Sequence, residues 1–340
     1  MTTNRLFKDG GYGHTVGVDG RYRFLKSYTA TFEFNKSIVL EPQADWIEKN
    51  DKILDKTTLL DGEKRKGEAL YFSLQRNTKH WNSAIEYEQY SPLYQTPLGF
   101  VTQNSIRFID TYHGYQHFYK KENFLKQLGL YLGSEINFNY ANLRKYWDVG
   151  SYLNIQLSGN IESEINYTYV INEEYVGFNA EDMPELSVFV SYNPSETLRM
   201  RMFIQVGESI RYDEDDPAIG DKFLFGTFNT FQISSKLQLS PSLRYSQLKN
   251  KSDQSLYFSG FIARTNLNYQ FNTNLSFRLI GEFNNFDKAF FYQPLLKWNP
   301  NPFTIFYVGG TNGYSRIEGK NRYGIENSQL YFKFQYLFDI

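Results

Sequence analysis

Large apolar side chains recur at every second position along most of this chain, and that period of two constrains its fold more than any motif does. The last stretch shows it plainly. Leu330, Phe332, Phe334, Tyr336 and Phe338 fall on one face, and Tyr331, Lys333, Gln335 and Leu337 on the other. Strand side chains alternate across a sheet, so so greasy a stripe has to meet either a protein core or lipid. Near the other end, Val16, Val18, Tyr22 and Phe24 oppose Asp19, Arg21 and Arg23. The turn Leu25, Lys26, Ser27 then leads to Tyr28, Ala30, Phe32 and Phe34 opposing Thr29, Thr31 and Glu33, which predicts an amphipathic hairpin. Runs such as Leu186, Val188, Val190 and Leu198, Met200, Met202, Ile204 continue the pattern. It predicts about 17 strands of roughly 8 to 16 residues, the length of tilted membrane strands.

Composition separates the two destinations. Aromatics make up 18% of the 340 residues, with 28 Tyr and 30 Phe, yet mean hydropathy is −0.53. A membrane β-barrel reconciles these values, because only alternate residues face lipid. No run approaches the roughly 20 apolar residues of a membrane-crossing helix. A formal net charge of −1 argues against a nucleic-acid binder with a basic surface. The absence of Cys removes disulfides, thiolate nucleophiles and thiolate metal sites. The opening residues carry no apolar signal core.

Turns and loops alternate as well. Short turns at Leu25–Ser27, 76–80, 193–196, 234–236, 272–274 and 299–302 exchange with polar stretches at Asn35–Lys66, Ser91–Gly99, Asn172–Pro184, Arg211–Lys222, Lys249–Ser255 and Thr311–Asn327. Short turns on one rim and longer loops on the other are the outer-membrane arrangement. The expected fold is therefore all-β, a transmembrane antiparallel up-and-down β-barrel forming one domain over residues 1–340. Counting back from the last strand makes the first and last readable strands run the same way, so at least one strand is unaccounted for. Residues Met1–Gly10 look too short and polar to supply it, and the expectation is 18 or more strands in the intact protein, with strands, signal peptide and an N-terminal domain lying upstream. The terminal stripe Leu330, Phe332, Phe334, Tyr336, Phe338 resembles the strand that the outer-membrane assembly machinery reads, although Asp339 and Ile340 follow it.

The segments FRLIGEFNNF (Phe277–Phe286), WNPNPFTIFYVGGTN (Trp298–Asn312) and QLYFKFQYLF (Gln329–Phe338) resemble the barrel of domain-of-unknown-function family 5916 from Bacteroidota, and YSPLYQTPLGFVTQNSIRFI (Tyr90–Ile109) is similar to the region before one of its long strands. The resemblance spans most of the chain and rests on packing and turn motifs without assigned chemistry. It implies a bacterial outer-membrane location and an upstream domain like a family 9 carbohydrate-binding module.

Candidate sites follow from the faces opposite the apolar stripes. Arg199, Arg201, Arg244, Arg264, Arg278, Lys297 and Lys333, with Glu282 among them, are expected to line the lumen. A row of cations there would favour anionic solutes, unless salt bridges to Glu282 and inward-folded acidic loops neutralise it. Asp213, Asp215, Asp216 and Asp221 offer hard oxygen ligands for Ca²⁺, but Pro217 breaks the EF-hand spacing and a merely solvated acidic loop explains them better. Glu173, Glu174, Glu181 and Asp182 form a second acidic stretch expected on the same rim. His113 and His117 would sit on one strand face about 13 Å apart, too far for one metal. Trp81, Tyr112, Tyr115, Trp147, Trp298 and Tyr307 could stack on sugars, or form the interfacial aromatic girdles. The chain contains no G-x-S-x-G, H-E-x-x-H or P-loop pattern. No cofactor and no metal is expected. The reading is an outer-membrane barrel, partnered by the lipid bilayer and the assembly machinery, that passes or handles an anionic or glycan-derived solute. Its rivals are an anchor for an upstream carbohydrate-binding-like domain and a hydrolase with a site at the extracellular rim.

Overall fold

The computed structural model describes every residue except 9, 46, 48–51, 318–321 and 339–340. Asp339 and Ile340, after the terminal stripe, thus lie outside the described residues. Among the described residues there are 22 strands and no helix. They fall into two compact units, one of Met1–His117, Gly129–Leu153 and Thr168–Met183, the other of Phe118–Leu128, Asn154–Tyr167 and Pro184–Ile340.

In the first unit, β1 (Thr2–Leu6), β2 (Tyr12–Phe24) and β3 (Tyr28–Leu40) are followed by the two-residue strands β4 (Gln43–Ala44), β5 (Lys52–Ile53), β6 (Lys56–Thr57) and β7 (Leu60–Asp61). Then come β8 (Lys64–Asn77), β9 (Trp81–Tyr90) and β10 (Ile106–Phe118). The long strands pair antiparallel with their chain neighbours, β1 with β2, β2 with β3, β3 with β8, β8 with β9 and β9 with β10. The small strands nest within the 41–63 connection as β4 with β7 and β5 with β6. The hairpin read at Leu25–Ser27 closes where expected. Leu25 and Lys26 take φ of 46° and 62°, the left-handed geometry a tight turn demands.

β11 (Leu125–Asn139), β12 (Arg144–Leu157), β13 (Ile161–Tyr175) and β14 (Phe178–Ser195) contribute residues to both units. The second unit continues with β15 (Leu198–Arg211), β16 (Ala218–Ser234), β17 (Leu237–Asn250) and β18 (Leu256–Gln270), then β19 (Leu275–Asn284), β20 (Ala289–Asn301), β21 (Thr304–Arg316) and β22 (Tyr323–Tyr336). Each pairs antiparallel with the next, from β14 through β22. Up-and-down pairing of this kind follows from short connections, which leave no length for a crossover.

Burial is inverted relative to a soluble domain. Ser37 and Ser73 are each 1% exposed, whereas Phe32, Phe72, Met202, Ile204 and Phe332 are exposed, the last at 64%. A contiguous apolar face turned outward would be an aggregation hazard in water and is the natural surface in lipid.

Two expectations need correction. Thr2–Leu6 does form a strand, held against β2 by the pairs Thr3↔Thr15 and Arg5↔Gly13. That strand removes the odd parity inferred from the sequence. The stretch Asn172–Pro184 is not an open loop but the tip of a tight hairpin, closed by Val176 and Gly177 at φ of 49° and 83°. Of the stretch Thr311–Asn327, residues 311–316 and 323–327 likewise belong to β21 and β22, while 318–321 lie outside the described residues. The strong contrast in loop length survives only in the first unit, where 41–63 and 91–105 oppose the turns at 25–27 and 78–80.

Candidate functional site

The cations singled out in sequence share one face of the second unit, and the strand registers prove it. Residues directly opposite one another in a ladder point to the same side of the sheet. Arg201 lies opposite Phe228, Phe228 opposite Ser242, Ser242 opposite Arg264, and Arg264 opposite Glu282. One pleat step away, Gly226 faces Arg244. Asn268 faces Arg278, which faces Leu295, and Ser276 faces Lys297, Tyr307 and Lys333 in turn. Arg199 is two residues from Arg201 on β15 and so belongs to the same side. Neighbouring strands stand about 4.8 Å apart, so the basic groups are spread over the face as a field and not gathered into one pocket.

Neutralisation of this field is slight. Among the described residues only Arg264 of the seven has a carboxylate within 4.0 Å, its Nη1 donating to Glu282 Oε2 at 2.9 Å. Its side chain remains 46% exposed. Arg264 also lies 5.9 Å from the Phe291 ring, and Lys333 5.9 Å from that of Tyr307. A cavity of about 300 Å³ is lined by Arg199, Arg201, Arg264, Asn229, Ser242 and Asn266. A second, of about 390 Å³, is lined by Arg278, Lys297, Gln238, Asn268, Ser276 and Tyr307. Both offer hydrogen-bond donors beside fixed positive charge, the combination that holds anions.

The corresponding face of the first unit has the opposite sign, which the sequence reading missed. Ser73 faces Glu86, which faces Asp110, while Tyr71 faces Glu88. Glu86 accepts from Gln75 at 3.0 Å. Glu135 accepts from Asn137 at 3.0 Å, and Asp148 accepts from the Tyr146 hydroxyl at 2.8 Å. No ion pair touches these carboxylates among the described residues. Alternation in β9 and β10 signals such a face, but the acids there are interrupted by Ala84, Tyr90 and Tyr112 and do not read as a row.

The other predicted residues are scattered. Asp213 and Asp216 both bind Arg211, at 2.7 and 2.6 Å, and Asp221 accepts from Gln254 at 2.6 Å. Of the candidates Asp213, Asp215, Asp216 and Asp221, two thus share Arg211 and one turns to Gln254, an arrangement that accords with the acidic-loop reading. Glu174 pairs with Lys145, Glu181 accepts from Asn179 and Asp182 from Tyr169. His113 lies opposite Ser83 and packs its ring at a tilt against Trp81, 5.3 Å between centroids; with Tyr115 and His117 it sits on the apolar side of β10 and not over the lumen-type face. Trp81, Tyr115 and Trp298 fit an interfacial girdle. Tyr112 and Tyr307 do not, because both share the polar face. The terminal stripe stands as expected: Phe332 lies opposite Val308 and Phe334 opposite Phe306, all on the apolar side.

The first unit also holds three carboxylates in the 41–63 connection. Glu41, Asp61 and Glu63 each place an oxygen within 4.8 Å of the other two. Glu41 is 4% exposed, and its Oε1 lies 2.6 Å from Nε of the equally buried Arg65. Burial pushes the Glu41 carboxyl above its ordinary range; Arg65 opposes this, and Glu63 and Asp61 add to it.

No protein-family model and no curated relative matches this sequence. Solved structures do. The siderophore receptor PirA from Acinetobacter baumannii superposes with a TM-score of 0.50 at 7% identity, over 95% of this chain and 64% of that one. Two mutants of the ferric enterobactin receptor PfeA from Pseudomonas aeruginosa each give a TM-score of 0.51 at 9% identity, over 93% and 92% of this chain and 65% and 59% of theirs. The chain thus spans less than two thirds of the length of these structures. Identity so low speaks to fold alone, and the fold class is the transmembrane antiparallel up-and-down β-barrel.

Proposed function

We propose that the protein resides in the bacterial outer membrane and passes an anionic solute along the basic face of β15–β22. The carrying observation is that six of the seven cations named on that face, all but Arg264, have no carboxylate partner among the described residues. Charge inside a water-filled barrel is weakly screened by its low-dielectric wall, so unpaired cations set ion preference. A solute derived from glycans would accord with the upstream carbohydrate-binding-like domain that the resemblance to family 5916 implies. The siderophore-receptor names of the structural neighbours agree with solute handling in general. The exposed Leu330–Phe338 stripe serves as the strand by which the assembly machinery inserts the barrel.

Single-channel recording of the protein in a planar bilayer, with reversal potentials in a salt gradient, tests this. Steady conductance with anion preference is expected, and the preference should fall several-fold in the triple variant Arg199→Gln, Arg201→Gln, Arg264→Gln. A correctly folded but silent barrel would overturn the passage reading and leave the anchoring role.

A further inference from the structure

The geometry points to a calcium site at the base of the 41–63 connection, made by Glu41, Asp61 and Glu63. It is independent of the solute-passage reading. The three ligand oxygens lie within 4.8 Å of one another, close enough for small side-chain adjustments to bring all three to the calcium–oxygen distance of about 2.3 to 2.6 Å. A second observation singles out this cluster. Glu41 Oε2 is fully buried and has no hydrogen-bond partner, a state that leaves a costly orphan unless an ion or water meets it.

Arg65 does not satisfy the cluster. It contacts the other oxygen, Oε1, and its Nη2 donates to the carbonyl of Thr57. One guanidinium against three carboxylates leaves a net charge of −2, which one divalent cation neutralises. Thr57 sets the remaining ligands: its amide donates to Glu63 Oε2 at 2.8 Å and its hydroxyl to Asp61 Oδ2 at 3.3 Å. The backbone bond from Glu41 N to Glu63 O, at 3.0 Å, already fixes the end of β3 beside the start of β8. Calcium suits an irregular loop of carboxylates better than magnesium, which demands near-ideal octahedral geometry and gives up water reluctantly. The bound ion would clamp the two ends of the connection and order the small strands β4–β7 between them.

The test is calorimetric titration of calcium chloride into the folded protein, refolded in detergent and stripped with chelator. One saturable equivalent is expected, with a Kd on the order of 10⁻⁴ to 10⁻³ M as in extracellular modules. Asp61→Asn and Glu63→Gln should each weaken binding about ten-fold or more, and Asp215→Asn should leave it unchanged. Calcium should also slow tryptic cleavage after Lys52 and Lys56 in the wild type and not in Asp61→Asn. Glu41→Gln also strands Arg65 and can unfold the loop, so the exposed Asp61 carries the decision. No saturable binding by the folded wild type would overturn the site, as would unchanged binding in the Asp61→Asn, Glu63→Gln double variant.

Discussion

The two compact units are built from the same alternating strands and use them differently. The first keeps long connections, buries the Glu41–Arg65 pair at the ends of one of them with Glu63 half-buried and Asp61 exposed beside it, and gives its polar face largely to acids. The second has short connections at both ends of its strands, leaves the Arg264–Glu282 pair of its basic face solvated, and gives that face mostly to bases without a carboxylate partner among the described residues. Binary patterning therefore specifies the strands alike in both, while the choice of polar residue at the alternate positions divides the labour.

The largest test of this contrast compares two arginines. Arg65 and Glu41 are 5% and 4% exposed in their side chains, so removing one partner strands a buried charge. Arg65→Ala should cost about 3 to 5 kcal/mol, measured as denaturant unfolding in detergent followed by tryptophan fluorescence. A cost no greater than that of removing an exposed partner would erase the difference between the units.

The next effect contrasts adjacent residues in the second unit. Phe332 faces the apolar side and Lys333 the polar side of β22. Phe332→Lys should cost about 2 to 4 kcal/mol if it sits near the bilayer midplane, read as loss of folding into lipid vesicles. Lys333→Gln should leave folding unchanged. Equal penalties would mean that the two faces of the terminal strand are not differently solvated.

Much of this was legible in the sequence. Alternation placed the β2–β3 hairpin, the terminal strand and the whole basic face, because a period of two fixes side as well as strand. β1 was not legible, since Thr2–Leu6 is polar and is a strand only by virtue of pairing with β2. The hairpin at Val176 and Gly177 was hidden for a related reason: strands that extend past lipid lose their apolar residues and then look like loops. Glu41, Asp61 and Glu63 could not be joined from sequence, because some twenty residues separate the first from the others and only the β3–β8 ladder closes that gap.

The hairpin tip gives a smaller test. Gly177 has φ of 83° with nothing within 4 Å of an added Cβ, so Gly177→Ala carries backbone strain and no clash. A cost of about 1 kcal/mol is expected, checked by faster proteolysis at the tip. A neutral result would mean that the polar stretch behaves as a free loop after all.

The smallest stability change carries the most direct functional information. Arg264 and Glu282 are 46% and 26% exposed, and breaking so solvated a pair should cost under about 1 kcal/mol whichever partner is removed. Their effects on conduction should nonetheless have opposite signs. Arg264→Gln removes a cation and lowers anion preference, whereas Glu282→Gln releases Arg264 and raises it. Glu86→Gln, on the acidic face of the first unit, should shift preference in the same direction as Glu282→Gln. If the two variants of the pair moved the permeability ratio the same way, the pair would act by shaping the channel wall and not by its charge, and the division between an acidic and a basic unit would lose its functional meaning.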